Sequence, residues 1–328
     1  MIIDLPSTTT SAVNRKLVEL RVHGGAVALG RVLTLVIVTN DGDPTEEAID
    51  AANEASREHP CRVIVLARGA KRAAARLDAQ IRVGGDAGAS EVIVLRMYGP
   101  MADEGASMTV PLLLPDAPVV VWWPGEPPES PAQDPVGQLA HRRITDAAAG
   151  RSPIKALAQR RRSYTAGDTD LAWTRLTLWR GLLAAALDQP PFEPVTRAIV
   201  EGAADSPSAD LLAGWLVAAL DVPVIRRSAQ VEGGLHSVRL ERPSGQVALV
   251  RPDGRVGTLT QPGQPDRRVA LQRRPIRDCL AEEMRRLDPD EIYSEALEGL
   301  EQVRRSRTVV KPKPAPPAPP APQSGGNQ

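Results

Sequence analysis

Continuous apolar segments in the first half of the chain predict buried β-strands. The segments RVLTLVIVT (31–39), CRVIVLARG (61–69) and APVVVWW (117–123) are rich in β-branched residues and carry few polar side chains. A run without alternation is typical of a strand covered on both faces, as in a parallel sheet. An amphipathic helical pattern separates the first two runs, and this strand–helix–strand order predicts a βαβ unit with a right-handed crossover.

The other patterns of the first half complete an α/β domain, which we predict over residues 1–160 as a mostly parallel sheet layered with helices. Two more strands are predicted over 79–85 and 90–99, and an antiparallel addition to one edge of the sheet would accommodate them. Helices are predicted after the Ser/Thr cluster near residue 10, over 103–115, and over 134–150 (DPVGQLAHRRITDAAAG).

The second half predicts an α+β domain over residues 161–305. Residues 152–170 are interpreted as a segment that links the halves, followed by a long helix over 168–188 with Asp168 or Thr169 as its cap. An apolar stripe follows this helix at spacings of three and four residues, formed by Ala172, Leu176, Trp179, Leu183 and Ala186.

Turn-forming residues dominate the rest of that domain. A strand over 195–202 and a helix over 206–220, capped by Ser206 with Pro207 at its first position, precede short alternating segments between 222 and 273. The turns PSGQ, PDGR and PGQPD divide these segments and predict an antiparallel meander. Two helices hinged at Pro289 close the domain, and a disordered Pro/Ala-rich tail is expected over 306–328. The tail is either a docking peptide or a plain extension.

Composition excludes several classes of protein. The 328 residues carry 40 basic and 40 acidic side chains, so nothing global indicates nucleic acid or an anionic membrane as a partner. No apolar run reaches the roughly 18 residues of a spanning helix, and the N-terminus lacks the pattern of a secretory signal. A cytoplasmic location is expected. Cys61 and Cys279 are read as two buried thiols, or as a redox pair if the fold brings them together.

No motif for catalysis or cofactor binding is found in the sequence. Phosphate-binding glycine loops, HExxH and GxSxG are absent, and the four histidines are scattered without metal-ligand spacing. The DTD segment (168–170) fits a helix cap better than a cation site. We therefore expect a protein without cofactor or metal that is not an enzyme, although residues brought together from afar remain an alternative.

Arginine and tryptophan are used unusually. Between His141 and Arg162 seven basic residues stand against one acid, Asp146, which indicates either an anion-binding surface or a solvated linker. Two of the five tryptophans, Trp122 and Trp123, are adjacent and must point to opposite faces of their strand. A core role for Trp122, Trp123, Trp173 and Trp179 is the default interpretation. The alternative is an interface, in which one tryptophan of the adjacent pair is a contact surface and Trp173 faces a partner.

Four blocks carry a family resemblance: LLLPDAPVVVWWPGEPP, RRITDAA, DTDLAWTRLTLWRGLLA and LLAGWLVAAL. In this order they resemble the OpcA family of glucose-6-phosphate dehydrogenase assembly proteins. The resemblance implies a non-catalytic partner and allosteric activator of that dehydrogenase, which supports the oxidative pentose phosphate pathway and NADPH supply. Carried over by motif, the implied partner-binding residues are Trp122, Trp123, Arg142, Arg143, Asp146, Asp170, Trp173, Arg175 and Arg180.

A second function stays open from the residues alone. An arginine cluster near a predicted sheet edge also fits an α/β protein that binds or acts on a sugar phosphate or nucleotide. A small phosphorylated ligand is therefore a candidate alongside the protein partner. Nucleic-acid binding is disfavoured, because no aromatic residues alternate with the arginines.

Overall fold

Two β-sheets with helices packed on them form the fold. The computed structural model describes residues 1–23, 31–42, 45–84, 91–231 and 234–310. Within these ranges the helices are α1 Thr10–His23, α2 Thr45–Ala55, α3 Gly105–Thr109, α4 Pro153–Ser163, α5 Leu171–Thr174, α6 Thr177–Leu187, α7 Pro207–Leu220, α8 Ile276–Arg285 and α9 Glu291–Gly299. The strands are β1 Ile2–Leu5, β2 Leu33–Asn40, β3 Cys61–Arg68, β4 Arg76–Arg82, β5 Glu91–Tyr98, β6 Val119–Trp122, β7 Arg142–Thr145, β8 Asp168–Asp170, β9 Arg197–Gly202, β10 Val224–Ala229, β11 Leu235–Arg242, β12 Gly245–Val250, β13 Val256–Thr260, β14 Arg267–Ala270 and β15 Arg304–Val310.

The first sheet is the predicted, mostly parallel one. Its order is β1-β4-β5-β3-β2-β6-β7-β8. The six neighbouring strands β5, β3, β2, β6, β7 and β8 are all parallel to one another. The expected antiparallel addition holds for β4, which pairs antiparallel with β5 and carries the unpredicted β1 at the edge of the sheet, but not for β5, which pairs in parallel with β3. The apolar runs are buried on both faces because one core lies between the sheet and helices α2 and α8, and a second core includes α1.

Two predictions between residues 134 and 170 are wrong. The segment 134–150 was expected to be helical, but it contains one turn of 3₁₀-helix and then β7. The segment 152–170 was interpreted as a link between the halves, but it forms α4 and β8, and β8 is the last strand of the first sheet. Both new strands are short and polar, so the apolar pattern that marks the other parallel strands is missing from them.

The long helix predicted over 168–188 is divided. β8 ends at Asp170, which caps α5 by accepting a hydrogen bond from the Ala172 N–H, and α6 starts only at Thr177. The cap is therefore Asp170 rather than Asp168 or Thr169. The predicted apolar stripe is confirmed, since all five of its side chains are buried in the core of the second sheet.

The second sheet contains the predicted meander. Its order is β14-β13-β12-β11-β9-β10-β15. In the part formed by β9, β11, β12, β13 and β14, each strand is antiparallel to its neighbours. β10 differs, because the connection through α7 makes it parallel to β9. The predicted cap of α7 is confirmed: the Ser206 hydroxyl accepts from the Ala209 N–H, with Pro207 at the first position.

The end of the described chain belongs to this sheet. β15 pairs in parallel with β10 as far as Val310, so residues 306–310 form a strand where a disordered tail was predicted. The rest of the predicted tail, 311–328, lies outside the described residues. The two predicted helices around Pro289 are confirmed as α8 and α9, and α8 packs on α2 of the first sheet. Within the described ranges, no helix combines the length and the apolar character that crossing a membrane requires.

Candidate functional site

The parallel strands end at a cavity of about 640 Å³. It lies where the strand order reverses, between β2 and β6, which is the place where open α/β sheets bind ligands. The wall includes Thr39 and Asn40 from the end of β2, Trp122 from the end of β6, and the charged residues Glu47, Glu126 and Arg151. Two carboxylates face one guanidinium, so the lining does not fit the pyrophosphate of a dinucleotide, which needs backbone N–H groups and positive charge.

A proline-rich loop forms one rim of this cavity. Residues 124–129 (PGEPPE) follow the tryptophan pair directly, and the Glu126 and Glu129 side chains are exposed. The loop is held from below by Arg160, whose Nη2 donates to the carbonyl oxygens of Pro128 (2.8 Å) and Glu129 (3.1 Å). Burial lowers the pKa of Arg160. One arginine of the predicted basic cluster therefore fixes the backbone of an exposed loop.

Trp122 and Trp123 lie on opposite faces of the first sheet, as predicted. Trp122 is in the core beneath α2 and α8, and Trp123 is in the core on the other face. Each side chain is only 1% exposed. Neither side chain is therefore at the surface, because both faces of β6 are covered, and a partner-binding role for the pair stays a prediction.

Arg142 joins β7 to the C-terminal segment. Its guanidinium donates through Nε (3.0 Å) and Nη2 (2.5 Å) to Glu283 Oε2 on α8, and through Nη1 (2.7 Å) to the carbonyl oxygen of Asp288. The other oxygen of Glu283 accepts from the Thr174 hydroxyl at 2.5 Å. Both charged side chains are almost fully buried, so this ion pair is an internal connection between a strand and a helix 141 residues apart.

Arg143 makes the equivalent connection within the sheet. It donates to Asp168 Oδ1 on β8 at 2.5 Å and to the carbonyl oxygens of Ala140 and Ala166. Burial raises the pKa of Asp168, and the hydrogen bond from Arg143 opposes that shift. Asp168 therefore serves as the ion-pair partner of Arg143 rather than as a helix cap or a metal ligand.

Two more aspartates hold the chain where β7 and β8 end. Asp146 forms a bidentate pair with Arg175 at 2.8 and 2.6 Å. Asp170, which is fully buried, accepts from the Thr145 hydroxyl at 2.7 Å and from the N–H groups of Ala147 and Ala172. The two carboxylates are thus saturated with donors from neighbouring segments.

The ion pairs and hydrogen bonds of Arg142, Glu283, Asp146 and Asp170 form a buried polar network. Trp173 extends this polar network to α9. Its indole N–H donates to Asp290 Oδ2 at 2.8 Å, its ring lies 5.8 Å from that of Tyr293, and the Arg180 guanidinium stacks over it at 3.7 Å. Trp173 is 1% exposed, so its side chain is in the core, and a partner-binding role for it stays a prediction.

The blocks that build this network match models of one protein family. Residues 52–162 match a model described as the glucose-6-phosphate dehydrogenase subunit N-terminal domain, and residues 166–297 match its C-terminal domain. Together the two matches span most of the chain. The chain belongs to the OpcA family of glucose-6-phosphate dehydrogenase assembly proteins.

Other comparisons show remote similarity only. No curated protein matches the chain. Two similar solved structures are a dehydrogenase from Chromobacterium violaceum and an oxidoreductase from Sinorhizobium meliloti, each 11% identical in sequence. The first aligns with 83% of this chain and 94% of its own at a TM-score of 0.39, and the second with 81% and 86% at a TM-score of 0.36.

The OpcA motif residues lie inside the protein and do not form an exposed surface. Of the nine residues carried over as partner-binding, eight are buried: Trp122, Trp123, Arg142, Arg143, Asp146, Asp170, Trp173 and Arg175. Arg180 is half-buried. The network brings β7, β8 and α5 together with α8 and α9, whereas the tryptophan pair lies apart in the cores of the sheet.

Two members of the network were missed from the sequence, Glu283 and Asp290. A signal for the burial of Glu283 exists, since it follows Cys279 by four residues and Leu280 by three and so shares the apolar stripe of α8. Asp290 caps α9 by accepting from the Tyr293 N–H, in addition to its bond with Trp173.

The two cysteines of this OpcA-family chain are not joined in a disulfide bond. Cys61 and Cys279 are both buried in the core between the first sheet and helices α2 and α8. Burial raises the pKa of Cys279 to about 11, which disfavours the reactive thiolate. Among the residues that the structure describes, no group of three or more His, Cys, Asp or Glu side chains has an arrangement that would hold a metal ion.

Asp170 predicts a pH dependence of stability. Burial, and then the nearby Asp146 carboxylate, raise its pKa from 3.8 to about 6. The folded state therefore binds this proton more tightly than the unfolded state, so the stabilisation is greatest at low pH and is lost as the pH rises from about 4 through 6. We therefore compare the free energies of unfolding of the wild type and of Asp170→Asn. The wild-type value minus the variant value should fall over this pH range by on the order of 2–3 kcal/mol, since each unit of pKa shift corresponds to about 1.4 kcal/mol.

The measurement is urea denaturation of both proteins at a series of pH values. Taking the difference removes the contribution of the titrating groups that do not interact with Asp170, so that it reports on Asp170 together with its neighbour Asp146. A difference that stays constant across the range would contradict the assignment of a raised pKa to Asp170.

Proposed function

We propose that this protein is a non-catalytic partner that binds glucose-6-phosphate dehydrogenase and raises its activity or promotes its oligomeric state. The observation that carries the proposal is the match of residues 52–162 and 166–297 to the two domain models of the dehydrogenase subunit. We expect this protein to act in the cytoplasm. There, such a partner would increase NADPH supply through the oxidative pentose phosphate pathway.

The activator role requires a difference in affinity. A partner shifts a conformational or oligomeric equilibrium of the dehydrogenase only by binding one state more tightly than the other. About 1.4 kcal/mol of differential binding shifts the equilibrium tenfold. No reacting group of this protein needs to enter the active site of the enzyme for that effect.

We propose the exposed rim of the 640 Å³ cavity as the contact surface. The loop 124–129 is rigid, since prolines occupy three of its six positions and Arg160 holds two of its carbonyl oxygens. Glu47 and Glu126 line the cavity, and Ile276 adds an apolar side chain that is 40% exposed. A basic side chain of the dehydrogenase fits this lining. The buried motif residues would act indirectly, by holding the loop and α8 in place.

Co-elution tests the function. We expect the dehydrogenase and this protein to share a peak on a sizing column with light scattering, and NADPH formation per dehydrogenase to be higher in that peak. Glu126→Lys should weaken activation about tenfold, because like charges at an interface cost affinity and slow association. Glu298→Lys is the matched control, since Glu298 is an exposed residue on α9 that does not line the cavity.

Two separate peaks with unchanged enzyme activity would reject the assembly function. A shared peak in which Glu126→Lys and Glu298→Lys behave alike would retain the function and reject the cavity rim as the contact surface. Serum albumin at equal concentration controls for non-specific stabilisation of the enzyme.

A further inference from the structure

A second, smaller cavity of about 130 Å³ is separate from the strand-end cavity described above. It lies where β9 ends and the chain enters α7, against the start of α4 and the turn between α5 and α6. Three arginines line it, Arg175, Arg251 and Arg273, together with Ser206 and Ser208 from the start of α7. The one carboxylate in the lining is that of Asp205.

Arg251 is a buried cation without a counter-ion. Its side chain is 7% exposed, and its Nη atoms donate to the carbonyl oxygens of Leu271 (2.8 Å) and Leu235 (2.7 Å). Its Nε has no hydrogen-bond partner within the described part of the chain. Across the described ranges, no carboxylate lies within ion-pair distance of it. A buried charge is costly unless an opposite charge compensates it, so this position indicates an anion that is supplied from outside the chain.

The other two arginines add positive charge at the same place. Arg273 makes neither a hydrogen bond nor an ion pair with any residue that the structure describes, and its side chain is exposed. Arg175 uses both Nη atoms on Asp146, but its buried Nε is unpaired. Burial, and then the positive charge of Arg273, lower the pKa of Arg251, as expected for two guanidinium groups that lie near each other.

Helix α7 contributes its N-terminus. This helix has 14 residues, and its partial positive end faces the cavity through Ser206, Pro207 and Ser208. The Ser206 hydroxyl satisfies the Ala209 N–H, whereas the N–H of Ser208, at the second helical position, has no acceptor within the helix. An oxyanion is the ligand that such an end attracts.

We propose that this cavity binds a phosphate group, as inorganic phosphate or as the phosphoryl group of a small phosphomonoester. Guanidinium groups match phosphate oxygens by charge-assisted hydrogen bonds, and three of them converge here with a helix N-terminus. The volume suits a single small group; ligand pockets for whole drug-sized molecules measure about 300–1,000 Å³. The ester part of a ligand would extend through the opening beside Arg273. This proposal does not depend on the dehydrogenase as partner.

Titration calorimetry on the full chain tests the site, with inorganic phosphate and with glycerol phosphate at constant ionic strength. We expect saturable binding of at least one of them, with a dissociation constant that rises at least tenfold in Arg273→Ala. This variant should fold, because the Arg273 side chain holds no other part of the described structure. Arg277→Ala is the matched control: Arg277 lies on α8, is 58% exposed and does not line the cavity, so affinity should be unchanged.

The outcomes separate the sources of the phosphate group. Tighter binding of glycerol phosphate than of inorganic phosphate supports a phosphomonoester, and the reverse supports free phosphate. The absence of saturable binding of either at millimolar concentration overturns the proposal. Binding that is equally strong in Arg273→Ala, or equally weakened in Arg277→Ala, overturns it as well.

Discussion

Replacement of either Trp122 or Trp123 by alanine is expected to lower the free energy of unfolding by about 3–5 kcal/mol. Each indole is 1% exposed and fills one face of the first sheet, so its removal leaves a cavity in a different core. Neither indole N–H has a hydrogen-bond partner among the residues that the structure describes, so we expect the loss to come from packing and burial. Denaturation by urea, followed by circular dichroism, measures the effect.

Trp215→Ala provides the matched control for this prediction. Trp215 is only partly buried on α7, so the same truncation should cost clearly less. If one member of the pair cost less than about 1 kcal/mol, its side chain would have to be at the surface, and the burial of the pair on both faces would be refuted. Similar large losses would establish that both tryptophans are structural, which a division into one core and one contact residue does not allow.

Glu283→Ala is expected to cost about 3–5 kcal/mol, because removal of one partner leaves a buried charge uncompensated. The partner is Arg142, which would keep a single carbonyl acceptor at Asp288, and the Thr174 hydroxyl would keep only the carbonyl oxygen of Asp170 at 3.4 Å. The measurement is again urea denaturation. Hydrogen exchange adds a local readout, since α8 should lose protection before the strands of the first sheet do.

An exposed ion pair serves as the control for Glu283. Glu301 pairs with Arg161 at 2.6 Å, but the Glu301 side chain is 67% exposed. Solvent screens such pairs, so Glu301→Ala should cost less than about 1 kcal/mol. A cost for Glu283→Ala as small as that of the control would mean that water enters the network and that α8 is not held by this ion pair.

Both predictions bear on the proposed assembly function. Trp122 lies beneath the cavity whose rim we propose as the contact surface, and Glu283 fixes α8, which carries Ile276 at the same rim. A motif residue can therefore matter for a partner without touching it, provided that it positions the residues that do.

The hydrophobic pattern determined much of the fold. The runs at 31–39, 61–69 and 117–123 became parallel strands, because a strand covered on both faces needs apolar side chains on both sides. The stripe from Ala172 to Ala186 became the buried face of α5 and α6. The cap at Ser206 and Pro207 was predictable since capping is local, and the motif blocks were sufficient to indicate the family.

Only the tertiary structure decided the roles of the polar motif residues. Arg142, Arg143, Asp168 and Asp170 stand on two short strands whose polar composition is typical of loops, and their burial is tolerated because each meets a partner. Local patterns cannot encode such pairs when the partner of Arg142 is Glu283, 141 residues away. The same holds for the arginine-lined cavity, because Arg175 follows α5, Arg251 follows β12, and Arg273 lies between β14 and α8. The sequence by itself determined where apolar side chains must be buried, and long-range folding decided which charges are buried with them.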